Sequence, residues 1–345
     1  MKKPLLEAKN LTVSFKREEG FYKAVDKISF NIGSREVVGL VGESGSGKTA
    51  ASLSLLKLLS FRGVVEGEVL FDGVNLFTLP ERDLKKIRGR EIGVIFQEPM
   101  TSLNPVLNIG VQIMEPMVEH ENISWTRARE KALSLLNEVG IKDSARRMKE
   151  FPHQLSGGIR QRVMISMALA CSPRLLIADE PTTALDVTIQ SQIIELLKKI
   201  RKKTPMAVLL VSHDLGVVRE LCERVMIMYG GRILETGNIE EIFKAPLHPY
   251  TRSLVQVSPF FEGKTRERAS AIDSVPYQSH LSPGCKFQPR CSWGNEKCRE
   301  VEPPLKDIKN KGWLDSGMAF NRQVRCWKYL DERGSYNGRS PAIGK

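Results

Sequence analysis

Nowhere does the sequence approach the roughly 20 uninterrupted apolar residues that a membrane-spanning helix needs. Its opening, MKKPLLEAKNLTVSF, has two lysines but neither a long apolar core nor a small-residue cleavage site, so it does not read as a secretory signal. The expectation is a chain made and kept in the cytosol. No internal repeat is visible. There is also no RNP motif, helix-turn-helix or basic stretch interleaved with aromatics of the kind that reads nucleic acid. The net charge is nevertheless +12, with the excess concentrated beyond residue 250. Such a basic end suits an anionic partner, or solubility together with compensation of nearby thiolates. Cysteine is scarce: six residues in 345, of which Cys285, Cys291, Cys298 and Cys326 fall in the last fifth. In a reducing compartment a local cysteine group reads as a metal site before it reads as a disulfide framework.

What is present begins with an ordinary globular composition, 41% hydrophobic and 27% charged, at a length that suits two or three domains. LTVSF, AVDKISFNI and EVVGLV read as strands, and GEVLF as another ended by a turn at Gly73 and Asn75. After EIGVIF the pattern turns helical from about Gly110 to Val139. Beyond that, strands alternate with helices through LLIAD, TIQSQIIELLKKIRKK, MAVLLVS, LGVVRELCERV and MIMYGGRIL. The alternation predicts an α/β fold, a largely parallel sheet covered on both faces, with an antiparallel side sheet from the N-terminal strands. From about Ala245 the prolines 246, 249, 276, 283, 289, 303 and 304 interrupt regular structure. This places a boundary between a first domain, 1–245, with a helical subdomain over about 98–160, and a second domain, 246–345.

Gly42, Glu43, Ser44, Gly45, Ser46, Gly47, Lys48 and Thr49 fit G-x-x-x-x-G-K-[ST] between a predicted strand and a predicted helix, the context that marks a P-loop. Glycines let the backbone N–H groups turn inward around phosphate oxygens, and the helix start adds its positive dipole end. Lys48 suits the β- and γ-phosphates, and the Thr49 hydroxyl suits Mg²⁺. Downstream, Leu175–Ala178 is an apolar strand ending in Asp179 and Glu180. Asp179 fits the metal side of such a site, and Glu180 a general base that polarises the attacking water.

Leu155-Ser156-Gly157-Gly158-Ile159-Arg160-Gln161-Arg162 resembles the LSGGQ signature of ABC ATPases, with Ile159 and Arg160 where many members differ. Gln97 is similar to the Q-loop glutamine, Ala184-Leu185-Asp186 to the D-loop, and His213 to the switch histidine. The motifs occur in the family's order. The resemblance implies an ABC cassette in which two nucleotide domains close head-to-tail over ATP and Mg²⁺. Ser156, Gly157, Gly158, Gln161 and Asp186 would then face nucleotide across the dimer. His213 would meet the γ-phosphate, and Gln97 would join Thr49 and Asp179 at Mg²⁺. For the aromatic stacked on adenine the choice is Phe15, with Phe21 and Tyr22 as competitors.

Phe96–Pro105, FQEPMTSLNP, is similar to the Q-loop region of dipeptide/oligopeptide permease ATPases, and His248-Pro249-Tyr250-Thr251 to that group's continuation past the cassette. The spaced cysteines of the tail match the group's pattern as well. The resemblance implies an ATP-hydrolysing subunit of a peptide importer, peripheral on the cytoplasmic membrane face. Its partners would be a second, homologous ATPase in a heterodimer, two transmembrane permease subunits and an extracytoplasmic solute-binding protein, with no nucleic acid. Nickel and oligosaccharides are alternative cargoes. A soluble ABC ATPase acting on nucleic acid or ribosomes is the rival from another class. A regulatory nucleotide binder is disfavoured by the intact Glu180 and His213.

Cys285, Cys291, Cys298 and Cys326 give C-x5-C-x6-C-x27-C, wider than the pairs of most structural zinc sites. Loops of that length suit a [4Fe–4S] cluster, and the resemblance points the same way; Zn²⁺ and no metal stay open. A small irregular metal-binding domain would act as a clamp for heterodimer assembly, or as a redox sensor. Cys171 and Cys222 lie in apolar surroundings and read as packing residues.

Overall fold

The structure, a computed structural model, describes residues 3–18, 20–59, 63–183, 185–258, 282–308 and 322–330. Ala184 of the expected D-loop and Pro276 of the proline-rich end lie outside them. In chain order the strands are β1 (Leu6–Arg17), β2 (Gly20–Ile32), β3 (Val37–Val41), β4 (Gly63–Phe71), β5 (Val74–Asn75) and β6 (Ile92–Ile95). They continue as β7 (Leu175–Asp179), β8 (Ala207–Ser212), β9 (Arg224–Tyr229), β10 (Arg232–Asn238), β11 (Lys306–Asp307) and β12 (Gln323–Val324). Two compact units divide the chain.

The first, here the phosphate-loop unit, gathers Leu6–Asn31, Val37–Val74 and Val211–Lys345. Its side sheet is antiparallel as expected, with β1 running against β4 from Leu6↔Phe71 to Phe15↔Gly63. Leu6, Ala8, Leu11 and Val13 of β1 are almost wholly buried. A second set of strands follows the order β11-β12-β10-β9-β3. All five residues of β3 are buried, which is why its sequence is a continuous apolar run. β3 and β9 are parallel, but β10 returns antiparallel to β9. MIMYGGRIL is therefore a hairpin: Gly230 and Gly231, at φ 53° and 79°, supply the paired left-handed positions of a tight turn. β12, from the chain's far end, pairs with β10 and with β11. Leu247, Ile308, Val324 and Tyr329 form a small core beneath it, so the proline-rich end is anchored by its own apolar contacts.

His248 belongs to this anchor. It is 1% exposed; its backbone N–H donates to Glu235, and its Nδ1 accepts from Tyr250 N–H, capping the helix Pro249–Val257. Burial first, and the charge of Arg325 second, pull its pKa down to about 3. An unfolded histidine titrates near 6.5, so as pH falls below that value the unfolded chain takes up a proton that the native state refuses. Stability contributed by the neutral ring is present above pH 6.5 and is lost on the way down to about pH 3. Between pH 6.5 and 5 this one group removes about 2 kcal/mol. His248→Asn keeps a capping acceptor but no ionisable ring. Urea unfolding at the two pH values should show the acid loss reduced by about that amount in the variant.

The second, the helical unit, holds Ile32–Glu36 and Asn75–Leu210. β8, β7 and β6 are neighbours in that order, with β6 and β7 parallel from Ile92↔Leu175 to Ile95↔Ala178. The mostly helical stretch expected from about Gly110 to Val139 consists of two helices, Ile109–Glu121 and Trp125–Glu138. Asn122 ends the first at φ 54°, and Ser124 starts the second by accepting from Arg127 N–H at 3.3 Å. The helix Val187–Lys203 buries Ile193, Ile194, Leu196, Leu197 and Ile200. Its last turn carries Arg201, Lys202 and Lys203, cations that suit the negative end of the helix dipole. Among the described residues no helix is long and apolar enough to cross a membrane.

Candidate functional site

In the phosphate-loop unit, residues 42–49 carry the chain from β3 into the helix Lys48–Ser54. Gly47 sits at φ 102°, and a Cβ there would lie 2.2 Å from the Ala24 carbonyl oxygen. A Cβ on Gly42 would come within 2.1 Å of the Met228 carbonyl oxygen. The loop is thus wedged between β2 and β9, a path that only glycine permits at these points. Backbone bonds then fix its curve: Ser46 N–H donates to Glu43 O at 3.2 Å, and Gly231 N–H to Ser46 O at 3.0 Å. Lys48 is 4% exposed, and its Nζ donates to the carbonyls of Gly42 at 2.8 Å and Glu43 at 3.0 Å. Ser46 is fully buried and its Oγ has no hydrogen-bond partner among the described residues. A tight amide-lined turn, a buried ammonium and a hydroxyl without a protein partner fit a phosphate chain. Thr49, half-buried at the helix start, offers the hard oxygen that Mg²⁺ prefers.

Two contacts to this loop leave no mark in its motif. Glu43 N–H donates to Tyr250 Oη at 2.9 Å, across 207 residues. The Glu43 carboxylate takes both arms of the Arg290 guanidinium at 2.7 and 3.1 Å, across 247 residues. No local spacing in the sequence signals either one.

His213 follows the end of β8 and is exposed. The backbone around it is fixed, since Asp214 N–H donates to Ser212 Oγ at 2.9 Å and Asp214 Oδ1 caps the next helix at Gly216 N–H, 2.7 Å. Phe15 is half-buried on β1 opposite Gly63. Of its competitors, Phe21 is 64% exposed and Tyr22 lies 4.6 Å beneath the Arg17 guanidinium.

In the helical unit, Asp179 closes β7 and is 1% exposed. Glu180 then takes φ 46°, a left-handed position that a glutamate adopts only under constraint. Its carboxylate is held by two donors: Gln97 Nε2 donates to Glu180 Oε2 at 3.1 Å, and Thr183 Oγ1 donates to the same oxygen at 2.8 Å. Gln97 and Glu180, 83 residues apart, are brought together because β6 and β7 are parallel neighbours. Thr183 escapes a reading of the sequence; its position three residues past the glutamate, in a turn, is the only signal it carries.

Ser156 precedes the helix Gly157–Leu169 with its side chain off the cap, and both Ser156 and Gly157 are exposed. Gly158 lets the helix approach Ile189, whose nearest carbon would stand 3.0 Å from an added Cβ. Gln161 is buried, and its Nε2 donates to the Pro181 carbonyl at 2.6 Å, tying the signature helix to the turn after Glu180. Asp186 is exposed and caps the helix Val187–Lys203 through Ile189 N–H at 2.9 Å. Arg160, at the unusual signature position, donates to the carbonyls of Pro152 and His153 and contacts Met100 Sδ.

The cysteine reading requires correction. Cys285, Cys291, Cys298 and Cys326 lie around one cavity of about 360 Å³, with no disulfide. Among the described residues, however, no group of three or more Cys, His, Asp or Glu side chains is placed to hold a metal ion. Burial pushes the Cys285 and Cys326 thiols up to about 12 and Cys291 in the same direction. The iron–sulfur assignment, its zinc alternative and the metal-binding character of the tail are withdrawn. What ties these loops is Cys285 N–H donating to Cys298 O at 2.8 Å. Lys297 and Lys328 also sit over the Trp327 and Trp293 rings at 3.8 and 3.2 Å. Cys171 and Cys222 are buried, as expected of packing residues.

Comparison with known proteins identifies the family. The ABC transporter family matches residues 25–183, and the family described as the oligopeptide/dipeptide transporter C-terminal region matches residues 234–298. The oligopeptide transport ATP-binding protein AppD of Bacillus subtilis is 46% identical over 95% of this chain and 98% of its own length. The dipeptide transport ATP-binding protein DppD of Escherichia coli is 45% identical over 96% and 98% respectively. Among solved structures, a dimeric ATP-binding cassette in a post-hydrolysis state, bound to ADP and Pi, aligns with TM-score 0.62 at 32% identity, covering 68% of this chain and 98% of that one. With both family matches in chain order and relatives aligned nearly end to end, this chain belongs to the ABC transporter ATP-binding proteins of the oligopeptide/dipeptide transporter family.

Proposed function

We propose that the protein is the ATP-hydrolysing subunit of an importer of dipeptides or oligopeptides, working beside membrane-embedded permease subunits. The observation that carries this reading is the near full-length alignment, at 46% and 45% identity, with peptide-transport ATP-binding proteins, including the region past the cassette. The residues supply a consistent chemistry. The loop from Gly42 to Thr49 and Lys48 bind the phosphates. Glu180, oriented by Gln97 and Thr183, accepts the proton of the attacking water. His213 contacts the terminal phosphate, and Phe15 stacks on adenine. As the resemblance implies, Thr49, Asp179 and Gln97 would hold Mg²⁺, which would supply charge neutralisation of the phosphates. Ser156, Gly157, Gly158, Gln161 and Asp186 serve the nucleotide of a second cassette, in a heterodimer with a homologous ATPase.

Exposed apolar side chains beside Gln97, namely Phe96, Met100 and Val106, suit a permease helix docking on the cytoplasmic membrane face. A solute-binding protein outside the membrane completes the system. The test is ATP-driven uptake of a labelled dipeptide into vesicles that carry this chain with its permease subunits. Unlabelled di- and oligopeptides should compete with the label, whereas nickel or an oligosaccharide competing instead would overturn the cargo class.

A further inference from the structure

The contacts of Glu43 raise a physical difficulty that the tail resolves. Its carboxylate belongs to the loop that must gather the like-charged phosphates of ATP, and a like charge held there disfavours them. The carboxylate is engaged instead by Arg290, bidentately at 2.7 and 3.1 Å, with the side chains of the pair only 14% and 15% exposed. Arg290 is itself held. It follows Phe287, which is 4% exposed and packs edge-on to Tyr229 at 5.3 Å and against Tyr250 at 5.4 Å. The guanidinium lies 5.5 Å from the Tyr229 and Phe287 ring centres, and it donates to Tyr229 Oη at 3.4 Å. Tyr250, in the same aromatic group, accepts Glu43 N–H. Side chain and backbone of the second loop residue are thus both gripped by residues from beyond the cassette. An independent link runs alongside: Arg232 joins Asp26 of β2 to Glu302 of the tail, at 2.7 Å each, and the adjoining Gly231 N–H donates to Ser46 O.

We infer that Arg290 is a positioning residue for nucleotide binding: by neutralising and holding the Glu43 carboxylate, it lets the C-terminal region set the affinity of the phosphate loop for ATP. The inference rests on the reading of this loop as an ATP site. It differs from a merely structural role in predicting that removing the opposing charge repairs the damage. A bidentate arginine–carboxylate pair holds geometry as well as charge, so a lysine should keep part of the effect.

The test is MgATP binding to the full-length protein by calorimetry, with thermal unfolding recorded for each variant. Arg290→Met should weaken MgATP about tenfold, equivalent to about 1.4 kcal/mol. Arg290→Lys should fall between wild type and Arg290→Met. The double variant Glu43→Gln/Arg290→Met, which leaves no unpaired charge, should return to within about threefold of wild type. Wild-type affinity in Arg290→Met would overturn the inference, and so would a double variant as weak as the single one, because the loss would then be structural. Absence of MgATP binding by the wild type would overturn the nucleotide reading and this inference together, and is distinguishable from both.

Discussion

Glu180→Gln is expected to lower ATP turnover by about 10²–10⁴-fold, the contribution of a positioned general base, while MgATP still binds. The substitution is nearly isosteric, so the left-handed turn at φ 46° and the two oxygen-directed bonds from Gln97 and Thr183 retain an acceptor to close on. What disappears is the capacity to take a proton from water. The loss corresponds to about 3–5 kcal/mol of barrier, far more than a displaced hydrogen bond would produce. Turnover and binding must be measured on the same preparation. Residual turnover within tenfold of wild type would remove Glu180 from the base role. Lost binding would instead indicate that the turn had collapsed.

The contrast between what the sequence reveals and what it conceals follows from chain distance. The P-loop is legible because its glycines, lysine and threonine act within eight residues, between a strand and a helix that announce themselves. The buried strand ending in Asp179 is legible for a similar reason: a continuous apolar run marks a strand covered on both faces, and the two acids mark where it emerges. The left-handed backbone of Glu180 is not, and neither is its contact with Gln97, which forms only after β6 and β7 pair. MIMYGGRIL passes for one more strand in an alternation with helices, although its adjacent glycines are the signature of a tight hairpin. The cysteines mislead in the opposite way. Spacing places thiols in one neighbourhood, but whether they converge depends on the side-chain directions set by short loops and a 3-10 turn at Gln288–Arg290. The grip of Arg290 on Glu43 has no local trace at all.

Glu235→Ala is expected to destabilise the protein by about 3–5 kcal/mol, the cost of breaking a buried ion pair from one side. Glu235 lies on β10 with no exposed surface, and Arg322, 6% exposed, donates to its Oε1 at 2.7 Å. The same carboxylate accepts Leu247 N–H at 3.0 Å and His248 N–H at 2.9 Å. Truncation therefore leaves the Arg322 guanidinium on the Ala245 carbonyl without its counter-charge and deprives two backbone amides of their acceptor, each with a desolvation penalty. Replacing both partners, as in Glu235→Met/Arg322→Leu, removes the buried charges and should recover most of the loss despite the two amides, the outcome seen when buried pairs give way to apolar residues. Urea unfolding measures the totals, and a double variant no better than the single would refute the charge argument. Hydrogen exchange locates the damage: the amides of Leu247, His248, Gln323 and Val324 should lose protection first, since β12 pairs with β10 at Glu235 and Thr236. The damage should also reach function. The segment from Leu247 leads into Tyr250, whose hydroxyl accepts the Glu43 N–H, so loosening the carboxylate's hold on that segment frees one of the two grips on the phosphate loop. A fall in MgATP affinity in Glu235→Ala, recovered in the double variant, would trace the coupling from the buried pair through the helix cap to the loop.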